Sequence, residues 1–313
     1  MSYTIKINQI EKSKVDKLDF DNIPLGRTFT DHMFICEFQE GKWQNPRIEP
    51  LALIPTHPAA MALHYGQAIF EGMKATIDQE RVPMLFRPEK NAARLNFSAR
   101  RMGMPEFPED LFVEGLKQLV LLDKNWIPPA EGSALYLRPF MYADEPFIGM
   151  REAVSYKFII IASPSQPLFN KPVKLLAETT YIRAADGGTG EAKAAGNYAA
   201  AIHPTELAKD KGYDQVLWLD AKEFKYIQEV GTMNIFFKIN GEYITPKPPV
   251  IGTDHYPPTS LQLPHNTLGL PMSDALSFME VLIEKVNSKI DDISLTEEYQ
   301  LEDADIVIIA YGL

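Results

Sequence analysis

Apolar residues recur along this chain at two different spacings, and short segments of each kind follow one another from end to end. That mixture excludes an all-helical or an all-strand architecture. Ala92, Leu95 and Ala99 fall three and four residues apart behind Pro88, a residue suited to a first helical position, and predict a helix there. Leu111 to Leu122 predicts a second amphipathic helix, opened by Glu109 and Asp110 at its positive end. Met84-Leu85-Phe86, Ala134 to Arg138 and Tyr156 to Ala162 predict strands. Ser163-Pro164-Ser165-Gln166-Pro167 then breaks the pattern, and Pro172 follows. Proline cannot continue a strand ladder and restricts its predecessor. An interdomain connection is therefore expected at 163–173, between a small N-terminal α/β domain over 1–162 and a large C-terminal domain over 174–313.

The second half repeats the alternation. Strands are expected near Val173–Glu178, Asp214–Leu219 and Tyr226–Val230, with a helix from Tyr198 to Asp210 that Pro204 could break. Asn240-Gly241 between Asn234–Ile239 and Glu242–Thr245 marks a tight hairpin. An irregular stretch with seven prolines covers 246–272. Ser273–Val286 carries a helical apolar stripe, and Asp305–Ala310 reads as a last strand. The fold class expected is α/β, with α+β mixing, in two domains.

Composition removes several functional classes. Acidic residues outnumber basic ones by 42 to 31, a net charge of −11, which opposes non-specific nucleic-acid binding. Cys36 is alone, so neither an intrachain disulfide nor a multi-cysteine metal cluster can form. The six histidines lack metal-ligand spacing, and no metal is expected. No stretch approaches the ~20 apolar residues that span a bilayer. Met1 to Lys6 contains no apolar run of the signal-peptide kind, so no membrane partner and a cytoplasmic location are expected.

The least ordinary stretch is Gly187 to Ala201, in which ten of fifteen residues are Gly or Ala around a single lysine, Lys193. Small side chains admit a flat ligand close to the backbone. A lysine crowded by such a ligand can become a nucleophilic amine able to form a Schiff base. Composition alone favours a solvated lysine beside a flexible loop, so other segments must decide. Tyr198 lies five residues on, at an expected helix start. Glu229 sits in an apolar strand, where a carboxylate either meets a basic side chain or holds a protonated ligand nitrogen. Tyr136 and Arg138 are two apart in a strand and so face the same way, either towards a site or towards solvent.

Six segments, in order, make a pattern: Phe70-Glu71-Gly72-Met73-Lys74-Ala75, Asn91 to Arg101, Leu135-Tyr136-Leu137-Arg138-Pro139, Gly187 to Tyr198, Gly212 to Asp220 and Glu229 to Phe236. From about residue 20 to about 247 the chain resembles the branched-chain amino-acid aminotransferases, pyridoxal 5'-phosphate enzymes of fold type IV. The resemblance implies that Lys193 binds the cofactor covalently and then shuttles a proton. Tyr198 would hydrogen-bond the cofactor's phenolic oxygen, Glu229 would face its pyridine nitrogen, Arg94 its phosphate, and Thr232 would sit beside it. Tyr65, Phe70, Tyr136 and Arg138 match substrate-pocket residues. Ile148 and Met150 match a loop lent to a neighbouring subunit, which implies a homodimer. The implied reaction exchanges the amino group of leucine, isoleucine or valine with 2-oxoglutarate.

After about residue 247 the sequence departs from the family. Its phosphate-binding turn corresponds to Gly269-Leu270-Pro271-Met272, where Leu270 remains a backbone contact but Pro271 has no N–H to donate. The later loop corresponds to Ile309-Ala310-Tyr311-Gly312, without the family's threonine, and the chain ends earlier than typical members. The C-terminal part is therefore atypical and short. A folded dimeric homologue with little or no catalysis is one alternative. A D-amino-acid aminotransferase or an aminodeoxychorismate lyase of the same fold is another.

Overall fold

The computed structural model describes residues 3–231 apart from 25, 79, 168, 170 and 171, and then 233–239, 242–244 and 306–311. In chain order its elements are β1 (Lys6–Ile7), β2 (His32–Gln39), β3 (Lys42–Pro50), α1 (Met61–Tyr65), β4 (Ala68–Phe70), β5 (Met73–Ile77), β6 (Pro83–Leu85), α2 (Pro88–Arg101) and α3 (Glu109–Leu122). There follow β7 (Ala134–Ala143), β8 (Tyr156–Ser165), β9 (Leu175–Ala177), α4 (Ala195–Asp210), β10 (Gln215–Leu219), β11 (Ile227–Val230), β12 (Asn234–Ile239), β13 (Glu242–Ile244) and β14 (Ile306–Tyr311). The chain forms an α/β fold in two units. One takes Met1–Pro167 and Gly188–Ala200, and the other takes Leu168–Gly187 and the described residues from Ala201 onwards. Segment 188–200, with Lys193, thus packs with the first unit, although it follows the connection expected at 163–173.

The first unit is built on a sheet ordered β1-β3-β2-β8-β7-β5-β6, with β4 also paired to β7. Its pairings are antiparallel except for β1 with β3. The apolar spacing after Pro88 does form a helix: Ala92, Leu95 and Ala99 of α2 are buried. In α3, Gly115 lets the helix approach β2 closely, since a Cβ there would lie 3.0 Å from two carbons of the Phe34 ring. Between helices and sheet, Phe107 stacks on Phe158 with centroids 3.8 Å apart, and Phe34 and Phe112 pack against the same ring.

Two strands run past their expected ends. β8 continues through Ser163-Pro164-Ser165, where Pro164 lies opposite Leu135 and the Ser165 hydroxyl donates to the Ala134 carbonyl at 3.0 Å. A proline at the end of a strand sacrifices one donor, and a neighbouring serine can make up that pairing. β7 continues past Arg138 to Ala143 and alternates strictly from Leu135: Leu135, Leu137, Pro139, Met141 and Ala143 are buried, while Tyr136, Arg138, Phe140 and Tyr142 share the other face.

The N-terminal segment is fastened by a buried polar cluster. The Asp31 carboxylate accepts hydrogen bonds from the Ser13 hydroxyl, the Lys14 amide at 3.0 Å and Trp126 Nε1 at 2.8 Å. His32 Nδ1 meets Asp123 at 2.6 Å, and its Nε2 accepts from the Ile10 amide at 3.1 Å.

In the second unit β10 lies between β9, parallel to it, and β11, antiparallel, with Trp218 opposite Glu229. Trp218 is buried with Val216 and Ala208, and its Nε1 donates to the Gly231 carbonyl at 3.0 Å. β12 pairs with β13, Ile239 opposite Glu242, and with β14, Asn234 opposite Tyr311. α4 passes through Pro204 without a break. The missing amide costs one ladder bond, and the Thr205 hydroxyl donates to the Ala201 carbonyl at 2.7 Å in the same turn. The irregular stretch 246–272 and the helix expected at Ser273–Val286 lie outside the described residues.

Candidate active site

Three pieces of the first unit meet around Phe70. β4 ends at Phe70, whose amide donates to the Lys193 carbonyl at 3.0 Å, and Ile69 forms a bridge with Ala194. α2 presents Asn91, Arg94 and Ser98, spaced three and four apart and hence on one face. The Ser98 hydroxyl accepts the Lys193 amide at 2.9 Å. Asn197 braces the glycine-rich loop from within, donating to the carbonyls of Thr189 and Ala192 at 2.7 and 2.8 Å while accepting from the Thr189 hydroxyl at 2.7 Å. Lys193 is therefore held at its backbone from two sides, on a loop with its own cross-links.

Its side chain is partly buried, not free in solvent. Lys193 Nζ donates to Tyr198 Oη at 2.7 Å and lies 4.8 Å from the Phe70 ring centroid. The Phe70 and Tyr198 rings are 4.7 Å apart. Arg138 Cζ also lies 4.5 Å from the Phe70 ring centroid, and Arg138 Nη2 donates to Tyr136 Oη at 2.7 Å. Cations over an aromatic face gain from its quadrupole. Arg138 Nε is buried and has no hydrogen-bond partner among the described residues. Such an atom costs stability unless a ligand meets it.

Arg94 is joined to this group through Glu71, the neighbour of Phe70. Its Nε and Nη2 donate to the two Glu71 oxygens, each at 2.7 Å. Burial works against the Arg94 charge, but the hydrogen-bonded Glu71 carboxylate outweighs it and raises the guanidinium above its ordinary pKa. Arg94 stays charged and keeps an Nη1 edge available to an oxyanion.

Lys193, Tyr198, Phe70, Tyr136, Arg138 and Arg94 are thus brought together. Tyr65 ends α1, partly exposed, with its ring 6.2 Å from that of His64. Ile148 and Met150 lie on the surface between β7 and β8, 70% and 93% exposed. In the second unit Glu229 is partly buried, with Oε2 2.7 Å from Arg183 Nε, so a basic side chain does meet this carboxylate. Thr232 and Leu270 lie outside the described residues.

Sequence reasoning missed Glu71, Asn91, Ser98 and Asn197. All four lie inside motifs already singled out, and the helical spacing of Asn91, Arg94 and Ser98 was a signal available without a structure. Burial raises the Cys36 thiol to about 12, which excludes it as a nucleophile at neutral pH. Among the described residues no three His, Cys, Asp or Glu side chains are grouped to hold a metal ion, and no helix is long and apolar enough to cross a membrane.

An amine beside a phenol, and guanidinium edges on an aromatic wall, are the donor set that a phosphorylated aromatic aldehyde would meet. Residues 68–251 match the family model described as amino-transferase class IV. Branched-chain-amino-acid aminotransferase 2 of Bacillus subtilis (strain 168) is 50% identical over 247 residues, 78% of this chain and 68% of that protein. A branched-chain aminotransferase from the archaeon Thermoproteus uzoniensis, solved with norvaline, superposes with a TM-score of 0.56 at 23% identity, covering 69% of this chain and 68% of that one. The branched-chain amino acid aminotransferase of Escherichia coli gives a TM-score of 0.55 at 23% identity, over 69% of this chain and 67% of that one. At these identities the two structures show a shared fold.

Proposed function

The chain belongs to the class IV aminotransferases, and on that premise we propose that it transaminates branched-chain amino acids with pyridoxal 5'-phosphate, using 2-oxoglutarate as amino acceptor. The observation that carries this reading is the Lys193 amine, 2.7 Å from a phenol and 4.8 Å from the Phe70 ring, on a loop braced at its backbone. The bound cofactor would supply an aldehyde for the amine and a ring that accepts electrons from the substrate α-carbon.

The remaining work falls to side chains of this protein. Lys193 Nζ is the atom that takes and returns the proton at the substrate α-carbon, and Tyr198 Oη fixes its direction. Arg94 offers its open edge to the phosphate. Glu229, which pairs with Arg183, is assigned to the pyridine nitrogen.

Phe70 gives an aliphatic side chain an apolar wall, while Tyr136 and Arg138 at its rim can receive the second carboxylate of glutamate or 2-oxoglutarate. The buried, unpartnered Arg138 Nε supports that assignment. Tyr65 is assigned to the pocket rim. The exposed pair Ile148 and Met150 is assigned to a second copy of the chain, so the active form would be a homodimer.

The test is a cofactor absorbance spectrum of the wild type and Lys193→Ala before and after leucine is added. The wild type is expected to show the band of a lysine-bound cofactor and to lose it on adding leucine. Retention of the same band by the variant would remove Lys193 from its role. An unchanged wild-type spectrum with leucine would remove the substrate class.

A further inference from the structure

The Glu71 side chain has no exposed surface, yet both its oxygens accept hydrogen bonds. Oε1 accepts from Arg94 Nε, and Oε2 accepts from Arg94 Nη2, Asn91 Nδ2 at 2.8 Å and the Gly72 amide at 3.3 Å. Four donors meet the carboxylate, one at Oε1 and three at Oε2. Two parallel bonds along one edge of a planar guanidinium fix both its plane and the direction of its free edge. What remains of Arg94 is the Nη1 amine and one Nη2 hydrogen, on the side away from Glu71, and the arginine side chain is 37% exposed.

The clamp is itself clamped. Glu71 donates its amide to the Pro139 carbonyl at 2.7 Å, in the strand that carries Tyr136 and Arg138. The adjacent Phe70 amide holds the Lys193 carbonyl, and Ser98, one helical turn beyond Arg94, holds the Lys193 amide. One short turn thus references the arginine fork and the reactive amine to the same backbone.

We propose that Glu71 is a positioning residue that aims the free edge of Arg94 at the cofactor phosphate and sets its distance from Lys193. The proposal rests on the reading that Arg94 receives that phosphate. Glu71 also works against phosphate binding, because its negative charge lies behind the guanidinium and weakens its field. Orientation must outweigh that loss. A free arginine would have to freeze several rotors on binding the phosphate, whereas the carboxylate freezes them beforehand. That difference corresponds to roughly tenfold or more in affinity.

The experiment measures equilibrium binding of pyridoxal 5'-phosphate and of phosphate-free pyridoxal to the full chain, as wild type, Glu71→Gln, Arg94→Lys and the double variant. Glu71→Gln is expected to weaken the phosphorylated ligand about tenfold and leave pyridoxal unchanged, with no further loss when added to Arg94→Lys. Tighter binding of the phosphorylated ligand would overturn the proposal, since Glu71 would then only dilute charge. Parallel weakening of both ligands would also overturn it, leaving a packing role. A phosphate preference that Arg94→Lys leaves undiminished would instead remove the reading of Arg94, and the proposal with it. Should Glu71→Gln not fold, Asn91→Leu takes one donor from Oε2 and leaves the ion pair. It is expected to show a smaller loss confined to the phosphorylated ligand, and a parallel loss or none would count against the proposal.

Discussion

Gly72 lies one residue past Glu71, and a Cβ at that position would lie 2.4 Å from Tyr136 Oη. The absence of a side chain is what lets the phenol reach Arg138 and hold its guanidinium over Phe70. Gly72→Ala is therefore expected to push the Tyr136 ring aside and free Arg138. If Arg138 receives the second carboxylate of glutamate, that change lowers kcat/KM for glutamate about 10- to 100-fold, the range of one charge-assisted hydrogen bond, and touches leucine far less. Half-reaction kinetics with the two donors would check this, and equal losses would refute the assigned selectivity. The Tyr136–Arg138 pairing was legible in the sequence from strand alternation. The role of Gly72 was not, because only the fold brings β5 and β7 together at Lys74 and Tyr136.

Among the elements, α3 and the segment before it are held on the sheet by aromatic packing. Phe158 of β8 is fully buried against Phe107, Phe112 and Phe34. Phe158→Ala is expected to destabilise the first unit by about 3–5 kcal/mol, read from the shift of a urea unfolding midpoint. Loss of under about 1 kcal/mol would mean that the stack is not a principal support. The N-terminal segment is attached differently, by polar groups. Burial raises the Asp31 carboxyl, but hydrogen bonds from Ser13, Trp126 and Lys14 and the nearby His32 more than offset it, so its pKa lies below the ordinary value. A carboxylate depressed in the folded state adds stability above its unfolded pKa, near 3.9, and loses it as pH falls through the folded value. Asp31→Asn should therefore cost about 1–3 kcal/mol at neutral pH and give a flatter decline in stability below about pH 4. Unfolding midpoints between pH 7 and pH 3 would reveal this, and parallel curves for the two proteins would contradict it. None of this cluster was visible beforehand, since Ser13, Asp31 and Trp126 are far apart in sequence and each is ordinary when read alone.

For the whole molecule, Ile148 and Met150 are exposed in a segment that the functional reading assigns to a second copy. If they are covered in a dimer, Ile148→Lys with Met150→Lys should shift the mass measured by light scattering towards the monomer and weaken leucine turnover together. An unchanged mass would place the subunit contact elsewhere. The sequence by itself determined the α/β class and most strand and helix positions, because periodicity is a local property, whereas the grouping of Lys193, Tyr198, Arg94, Phe70, Tyr136 and Arg138 was implied only by the family resemblance. It misread Ser163-Pro164-Ser165 as the end of a strand, since a lone proline gives no hint that a partner strand can accept it. Only the tertiary structure decided that segment 188–200 packs with the first unit, and that Glu71 turns its carboxylate onto Arg94. Both depend on contacts between residues 20 or more positions apart, and such contacts are fixed by packing, which no local pattern in the chain encodes.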